Sequence, residues 1–554
     1  MTEAVLSPAR SSAAGNPWLV ACVVVVPTFM EVLDTTVAVV ALRYIAGGLS
    51  ATVDDGEWVL TSYLAANAII LPITGWLSAR LGRRNYFLIS IAVFTLSSGL
   101  CGMAGSLGEL ILFRIIQGLA GGGLQPSSQA VLLDAFPREK QGAAMTLFGL
   151  AALLAPVVGP TLGGWLTDQY EWRWVFLINV PVGLLAFGAC YALLRDPEYL
   201  VKERTELRRR PLHFDSIGLS LLVITMVCWE VMLSKGQEWD WLGDPFWRVQ
   251  TLAILCATGL VGLIFWELRS PNPVVNFRPM GERNFSACCI VIFCAYAVLY
   301  GASTSLPGLL QSLFGYNALA AGLVMSPAGF FAVLAMPVVS RLLGKQMDAR
   351  WLIGVGLLLI AASNYWMSQM NLDISPDQVI WPRAGLVVGL AIVFAPVNVA
   401  AYLYTPPLLR GAAVGLLSLL RNEGGSVGTS LAQTLQERRE QFHTLRLGES
   451  LDPFNPAVQS FLEQAQARFL QQTGDPATAQ QLAWQALENL RQQQASALAY
   501  FDCFWLFAVV ILALTFFVFL MKRSVAEKGA HIGGDDRRGL RHVGARLTAS
   551  SRWG

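Results

Sequence analysis

The chain has 554 residues, 54% of them hydrophobic and 14% charged, with a formal net charge of +2 at neutral pH. Apolar runs long enough to cross a bilayer recur from end to end, the signature of a polytopic membrane protein, and the near-neutral charge gives no global basic field that would point to nucleic acid. Most cysteines (Cys22, Cys101, Cys190, Cys228, Cys256, Cys288, Cys289 and Cys294) sit inside apolar runs without metal-ligand or redox spacing, so they read as small packing residues, with no metal site and no disulfide framework expected.

Met1 to Asn16 is polar and lacks a cleavable-signal pattern, so residues 1–16 are expected as a cytoplasmic N-terminal segment. About 14 spans of roughly 20 residues follow. The first six are expected near 17–42, 57–79, 86–106, 108–134, 141–167 and 174–194. Two more lie near 214–234 and 247–267, and the last six near 285–305, 318–342, 350–370, 379–404, 408–435 and 498–521. The fifth span contains GLAALLAPVVGPTLGG, with Gly149, Pro156, Gly159, Pro160, Gly163 and Gly164. That content would weaken a soluble helix. A membrane helix tolerates it, because neighbouring helices re-satisfy the freed backbone, and the small residues let another helix approach closely.

Between the last two spans, residues 436–497 form the longest stretch outside the membrane, rich in Gln, Ala, Leu and Glu. Asn455-Pro456 and Asp475-Pro476 each read as an N-cap followed by proline at the first helical position. The first helix should stop near Gly474. The second should run unbroken from Pro476 to about Met521, on the order of 70 Å. Leu482, Trp484, Leu487 and Leu490 give it an uneven apolar stripe. Residues 523–554 are a basic tail whose expected role is attraction to anionic lipid.

Alternate loops carry the positive charge. Arg80, Arg83 and Arg84 share a side with Arg138, Lys140, Lys202, Arg204, Arg208, Arg209, Arg210, Arg341, Lys345, Arg350, Lys522, Arg523, Arg537 and Arg538. The opposite short loops hold Arg43, Arg173 and Lys235. The positive-inside rule then places both termini in the cytoplasm and 436–497 outside. The first and last six spans also repeat. Pro137 to Ala144 (PREKQGAA) matches Pro406 to Ala413 (PPLLRGAA), Ser78 to Arg83 matches Ser340 to Lys345, and Arg114 before Pro126 matches Arg383 before Pro396. Parallel six-helix halves follow, a transporter architecture. The expected divisions are 17–195 for the first bundle, 196–284 for linkers and an inserted hairpin, and 285–522 for the second bundle with its external segment.

A series of motifs carries a family resemblance. GWLSARLGRR (Gly75 to Arg84) resembles the cytoplasmic loop motif of the major facilitator superfamily, FRIIQGLAGGG (Phe113 to Gly123) its fourth-helix motif, and Gly149 to Gly164 its antiporter motif. With LDTTVAVVAL (Leu33 to Leu42), WVLTSYLAANAI (Trp58 to Ile69), WRWVFLINVPVG (Trp172 to Gly183) and RNEGGSVG (Arg421 to Gly428), the chain from about Pro17 to Arg523 resembles the 14-helix drug–proton antiporters of the EmrB/QacA type. The resemblance implies export of lipophilic compounds driven by proton entry. It also implies a conformational role for Gly75, Arg80, Gly82 and Arg83 and for the glycines and prolines of the fifth span. Two positions depart from the pattern: Ala79 stands where the loop motif usually has an acid, and Arg43 where related chains often have proline.

Asp34 lies deep in the first span, where a carboxylate costs several kcal/mol unless paired, solvated or protonated. It reads as the carrier of the coupled proton, or else as a hydrogen-bonding cap on a neighbouring helix. Glu31, nearly a helical turn away, shares its cavity or is solvated in a vestibule. Arg114 is the cation expected to face these acids, as a partner released on protonation or as a fixed salt bridge. Glu423 reads as a second proton or cation site, or as a charge neutralised locally by Arg421. Glu230 reads as interfacial, because an inserted hairpin should lie outside the transport path, and Asp134 as a loop contact. Asn67, Gln125, Gln129, Tyr296, Tyr300, Asn398 and Tyr402 are the candidate substrate-binding groups, by stacking and cation–π contact with flat lipophilic compounds. The alternative for each is interhelical hydrogen bonding. Trp172, Trp174 and Trp247 fit an interfacial belt.

The expected protein is therefore an all-α polytopic membrane protein with the major facilitator fold and 14 transmembrane helices, two six-helix bundles plus an inserted pair. Its expected work is proton-coupled export of lipophilic compounds across the bacterial inner membrane, without a cofactor and not as an enzyme. The expected partners are a periplasmic adaptor protein contacting 436–497 and an outer-membrane channel; the segment otherwise reads as a self-packed cap over the exit. Export of an endogenous metabolite or siderophore is the alternative, and a non-transporting receptor or scaffold a further one.

Overall fold

The computed structural model describes residues 16–136, 140–196, 201, 205, 215–270, 273–344, 347–373, 375–406, 409–452, 454–519 and 521. The basic tail, the N-terminal segment before Asn16, Arg138, Lys202, Arg204, Arg208, Arg209, Arg210 and Lys345 lie outside the described residues. Among the described residues the secondary structure is helical, with no strand.

The first half begins with α1 (Pro17–Gly48), where Asn16 Oδ1 accepts from the Trp18 N–H at 3.0 Å and Pro17 takes the first position. It continues with α2 (Trp58–Leu81) and α3 (Arg83–Met103). Gly82, between them, has φ +89°, a backbone only glycine adopts without strain. The fourth expected span is two helices, α4 (Leu107–Gly121) and α5 (Leu124–Ala135). α6 (Gln141–Gln169) contains Pro156 and Pro160, and α7 (Asn179–Leu193) follows a short helical turn at Trp174–Leu177.

The inserted hairpin is α8 (Ser216–Lys235) and α9 (Arg248–Arg269). In its connection, the Arg248 guanidinium and the N–H groups of Phe246, Arg248 and Val249 hold Asp244 down to about 2. The second half is α10 (Arg283–Ser312), α11 (Ala318–Met325), α12 (Pro327–Gly344), α13 (Ala349–Ser368), α14 (Pro376–Leu403) and α15 (Arg410–Gly448), closed by α17 (Pro476–Val518). Among the described residues, thirteen stretches are long and apolar enough to cross a membrane. α15 is not one of them, because Arg421, Glu423 and a polar outer half lower its hydropathy. It nonetheless packs into the bundle: Gly424 and Gly428 lie directly on the backbone of Phe293 and Ala297 in α10. It packs among the thirteen as a member of the bundle.

Here "basic-loop face" means the side bearing the Gly82 turn, and "far face" its opposite. The halves meet along two seams. In one, α2 crosses α15: Gly75 lies on the backbone of Gly411, and Gly415 on that of Leu71. In the other, α6 meets the second half, with Gly149 against Phe394 and Met336 and Thr161 against Gly322. Gly159 and Gly163 serve a different contact, seating α6 on Thr36 and Val37 of α1. Thr167 donates to the carbonyls of Gly163 and Gly164 at 2.9 and 3.1 Å.

Beyond the far face, α15 runs on to Gly448, thirteen residues past the expected end of its span at 435. Its polar extension is held to α17 by Arg439 and His443 on Asp502 (2.5 and 2.7 Å) and by Ser496 on Glu440 (2.5 Å). α16 (Pro456–Thr473) begins at an Asn455 cap, stops at Gly474 with φ +68°, and α17 begins at an Asp475 cap. Thr478 and the local N–H groups pull the Asp475 carboxyl below its ordinary range. Trp174 and Trp247 are exposed as an interfacial belt requires. Trp172 is not: it is buried against Gly48, where the absence of a Cβ admits the indole.

Candidate functional site

Asp34 and Arg114 meet in the interior of the first half, both side chains fully buried, at 2.5 Å. Asp34 also accepts from Gln117 Nε2 at 3.0 Å and Asn179 Nδ2 at 2.7 Å. Arg114 donates through Nε to the Val59 carbonyl (3.1 Å) and through Nη1 to Gln117 Oε1 (2.9 Å). Its guanidinium lies 4.1 Å from the centre of the Tyr63 ring. These hydrogen bonds offset much of the desolvation of a buried ion pair, while Arg114 Nη2 is buried without a hydrogen-bond partner. Gln117, Asn179 and Tyr63 were not singled out by the sequence reading, although each lies in a quoted motif. What hid them is that only the fold brings the fourth, sixth and second spans together around Asp34.

Glu31, one turn earlier on α1, is buried too. It accepts from Tyr63 Oη at 3.5 Å, from Asn67 Nδ2 at 3.0 Å and from Gln125. It is thus no vestibule residue. Gln125 in turn accepts from Arg421 of the second half, and Asn422 Nδ2 reaches Asn67 Oδ1 at 3.5 Å. Gln129 donates to Asn398 Oδ1 across the same seam at 2.6 Å. One polar chain therefore runs from the Asp34–Arg114 pair, through Tyr63 and Glu31, to Arg421 of the other half.

The aromatic candidates gather beside Arg421. Its guanidinium is 5.7 and 5.8 Å from the rings of Phe148 and Tyr296, and Tyr296 stacks on Tyr300 at 6.2 Å. The hydroxyl of Tyr296 is buried without a hydrogen-bond partner, and that of Tyr402 is buried beside Gln129. Polar groups with unused capacity in a mostly apolar centre are the features of a ligand site.

Arg421 does not neutralise Glu423. Glu423 Oε2 instead accepts from Trp229 Nε1 of α8 at 2.6 Å. Glu230 is buried rather than interfacial, accepting from Ser426 Oγ of α15 at 3.1 Å. The reason is the hairpin's position: α8 packs against both α2 and α15, with Ser234 on Thr61 (2.5 Å) and Ser430 on the Leu233 carbonyl (2.7 Å).

At the basic-loop face, Arg83 pairs with Asp134 and also donates to the Ala130 carbonyl at 3.3 Å. Arg80 stacks over Trp76 at 5.2 Å. Asp134 is thus the acid that meets the loop's arginine in a chain with Ala79 at the customary acidic position.

Residues 24–429 match the model of the Major Facilitator Superfamily. The chain is 37% identical over 497 residues to the multidrug export protein EmrB of Haemophilus influenzae, covering 89% of this chain and 94% of that one. It is 36% identical over 505 residues to EmrB of Escherichia coli K12, covering 91% and 94%. The crystal structure of the human organic anion transporter MFSD10 superposes with a TM-score of 0.56 at 14% identity, covering 91% of this chain and all of that one, a likeness of fold. The chain belongs to the major facilitator superfamily, as an efflux transporter related to the EmrB multidrug export proteins.

Proposed function

We propose that the protein exchanges inward-moving protons for outward-moving lipophilic compounds by alternating access, with Asp34 as the proton carrier. The observation that carries this reading is the Asp34–Arg114 pair, buried in the first half and joined to the seam between the halves through the Tyr63 ring, whose hydroxyl donates to Glu31. With Asp34 ionised, Arg114 is held and the amides of Gln117 and Asn179 point their donors at the carboxylate. A proton on Asp34 cancels that charge, and Arg114 then lacks its counter-ion. A buried unpaired guanidinium is costly, so protonation favours a rearrangement that gives Arg114 another partner or water. Glu31 and Gln125 carry that change to Arg421, beside the aromatic groups that face a substrate. Glu423 is a second proton site in this reading.

Asn67, Gln125, Gln129 and Asn398 position the substrate and Tyr296, Tyr300 and Tyr402 stack on it. Gly75 and Gly149 let the seams slide and re-form, while Gly82, Gly159, Gly163 and Gly164, with Arg80, Arg83, Pro156 and Pro160, let the helices of the first half adjust with them. The protein lies in the bacterial inner membrane with both termini in the cytoplasm, as the charge bias of the loops favours. Exposed apolar side chains beyond the far face, Phe454, Leu445 and Phe442, support docking of a periplasmic adaptor that continues to an outer-membrane channel.

The test is proton flux in liposomes holding the purified protein, with an internal pH dye and a panel of lipophilic cations and weak acids. The expected result is substrate-dependent proton movement that disappears in Asp34→Asn. Undiminished transport against a gradient in that variant removes Asp34 from the mechanism.

A further inference from the structure

Glu230 and Glu423 face each other across the contact between the inserted hairpin and the second half. Trp229, the neighbour of Glu230 on α8, donates to Glu423, and Ser426, one turn from Glu423 on α15, donates to Glu230, so the two carboxyls lie side by side between the helices. Both residues are buried, 2% and 5% exposed. Each has one outside donor, Ser426 for Glu230 and Trp229 for Glu423. Glu423 Oε1 is buried and receives no donor.

The surrounding charges do not resolve this contact. On α8, Lys235 is engaged by Glu57 and Glu238, and Cys228 is a neutral thiol neighbour. On α9, Cys256 lies within electrostatic range of Glu423, while Glu267 accepts from the Val275 N–H at the opposite end of that helix. On α15, Arg421 is turned to Gln125. From α2 the contact group is Thr61, and from α10 the Tyr300 ring against Gly425. Among the described residues no cation acts on either carboxyl.

Two carboxylates at this range in a water-poor interior repel, and neither can donate to the other. One bound proton removes a charge and supplies the missing donor. We infer that Glu230 and Glu423 hold one proton between them, and that this proton latches α8 onto α15. The proton comes from water and returns to it, leaving two facing carboxylates that drive the helices apart. Because α8 also holds α2 through Ser234 and Thr61, the latch ties the inserted hairpin to both halves on the far side of the bundle. The hairpin is then a working part of the cycle, not a bystander. This inference deepens the proton-coupled reading above and rests on it for its purpose.

The first measurement is infrared difference spectroscopy of the full chain in liposomes, following the C=O stretch of protonated carboxyl groups. At neutral pH the band should survive in Asp34→Asn and lose one carboxyl's worth of intensity in Glu230→Gln/Glu423→Gln. An unchanged band in that double variant overturns the shared proton. The second uses spin labels at the exposed positions Leu242→Cys and Leu445→Cys in a Cys22→Ser background. In the otherwise unaltered protein the distance should be narrow at acid pH and broad at alkaline pH; in the double variant it should be narrow at both. A missing response in the first, or the same response in the second, overturns the latch. Neither measurement uses transport, so an Asp34→Asn variant that still exports defeats the coupling reading without touching this one.

Discussion

Arg114 and Arg383 occupy corresponding places in the two halves. Each lies in the fourth span of its half, and each reaches back to the first. Arg114 finds Asp34 with Gln117 beside it. Among the described residues Arg383 finds only Ser303 Oγ, at 2.8 Å, and its Nε and Nη1 are buried without a partner. The repeat has kept the backbone and the basic residue, while the acid survives in one half. A buried ion pair and a buried lone cation have opposite energetics. Removing one member of the pair strands the other charge, whereas removing the lone cation strands nothing.

The comparison predicts unequal responses. Arg114→Met should cost the most, about 3–5 kcal/mol, because Asp34 loses its counter-ion. Thermal unfolding in detergent reads this, and Asp34→Asn in the same chain should restore much of the loss. A full loss in the double variant would mean that packing on Tyr63, not charge, sets the cost.

Next come the helix crossings that both halves share. Gly118 lies on the Tyr63 carbonyl, as Gly428 lies on the Ala297 carbonyl. Alanine at either should destabilise by about 1–3 kcal/mol. Gly188→Ala, where nothing lies within 4 Å, should instead be neutral or stabilising by up to about 1 kcal/mol. Equal losses at all three would show that helix propensity, and not close approach, decides.

Arg383→Met should have the smallest effect among the charged positions, within about 1 kcal/mol and toward greater stability. A loss matching that of Arg114→Met would reveal an anionic partner for Arg383 in the working protein, and the asymmetry between the halves would disappear.

Much of this was legible in the sequence because it is local. Hydropathy located the spans, and the caps at Asn455 and Asp475 and the stop at Gly474 were readable from side-chain chemistry within a few residues. The depth of Asp34 and its pairing with Arg114 followed from the cost of charge in a membrane. What escaped was every choice between two nearby partners. Glu423 stands two residues from Arg421 on one helix, but residues two apart on a helix do not face each other, and the fold sends them to different neighbours. Glu230 escaped because its burial depends on where the hairpin docks, and no property of 214–234 alone records that. Trp172 looked interfacial by type until Gly48, over a hundred residues away, made room for it.

The length of α17 has a mechanical consequence. A single unbroken helix of 43 residues is about 65 Å long, and it joins the last membrane span to the helical segment beyond the far face without a joint. Between Ala477 and Val518 it has no proline at which to kink. A tilt of about 10° at its membrane end displaces its far end by roughly 11 Å. If the second half rocks in the cycle proposed above, a small tilt becomes a large stroke where α16 and α17 meet, like the far end of a lever.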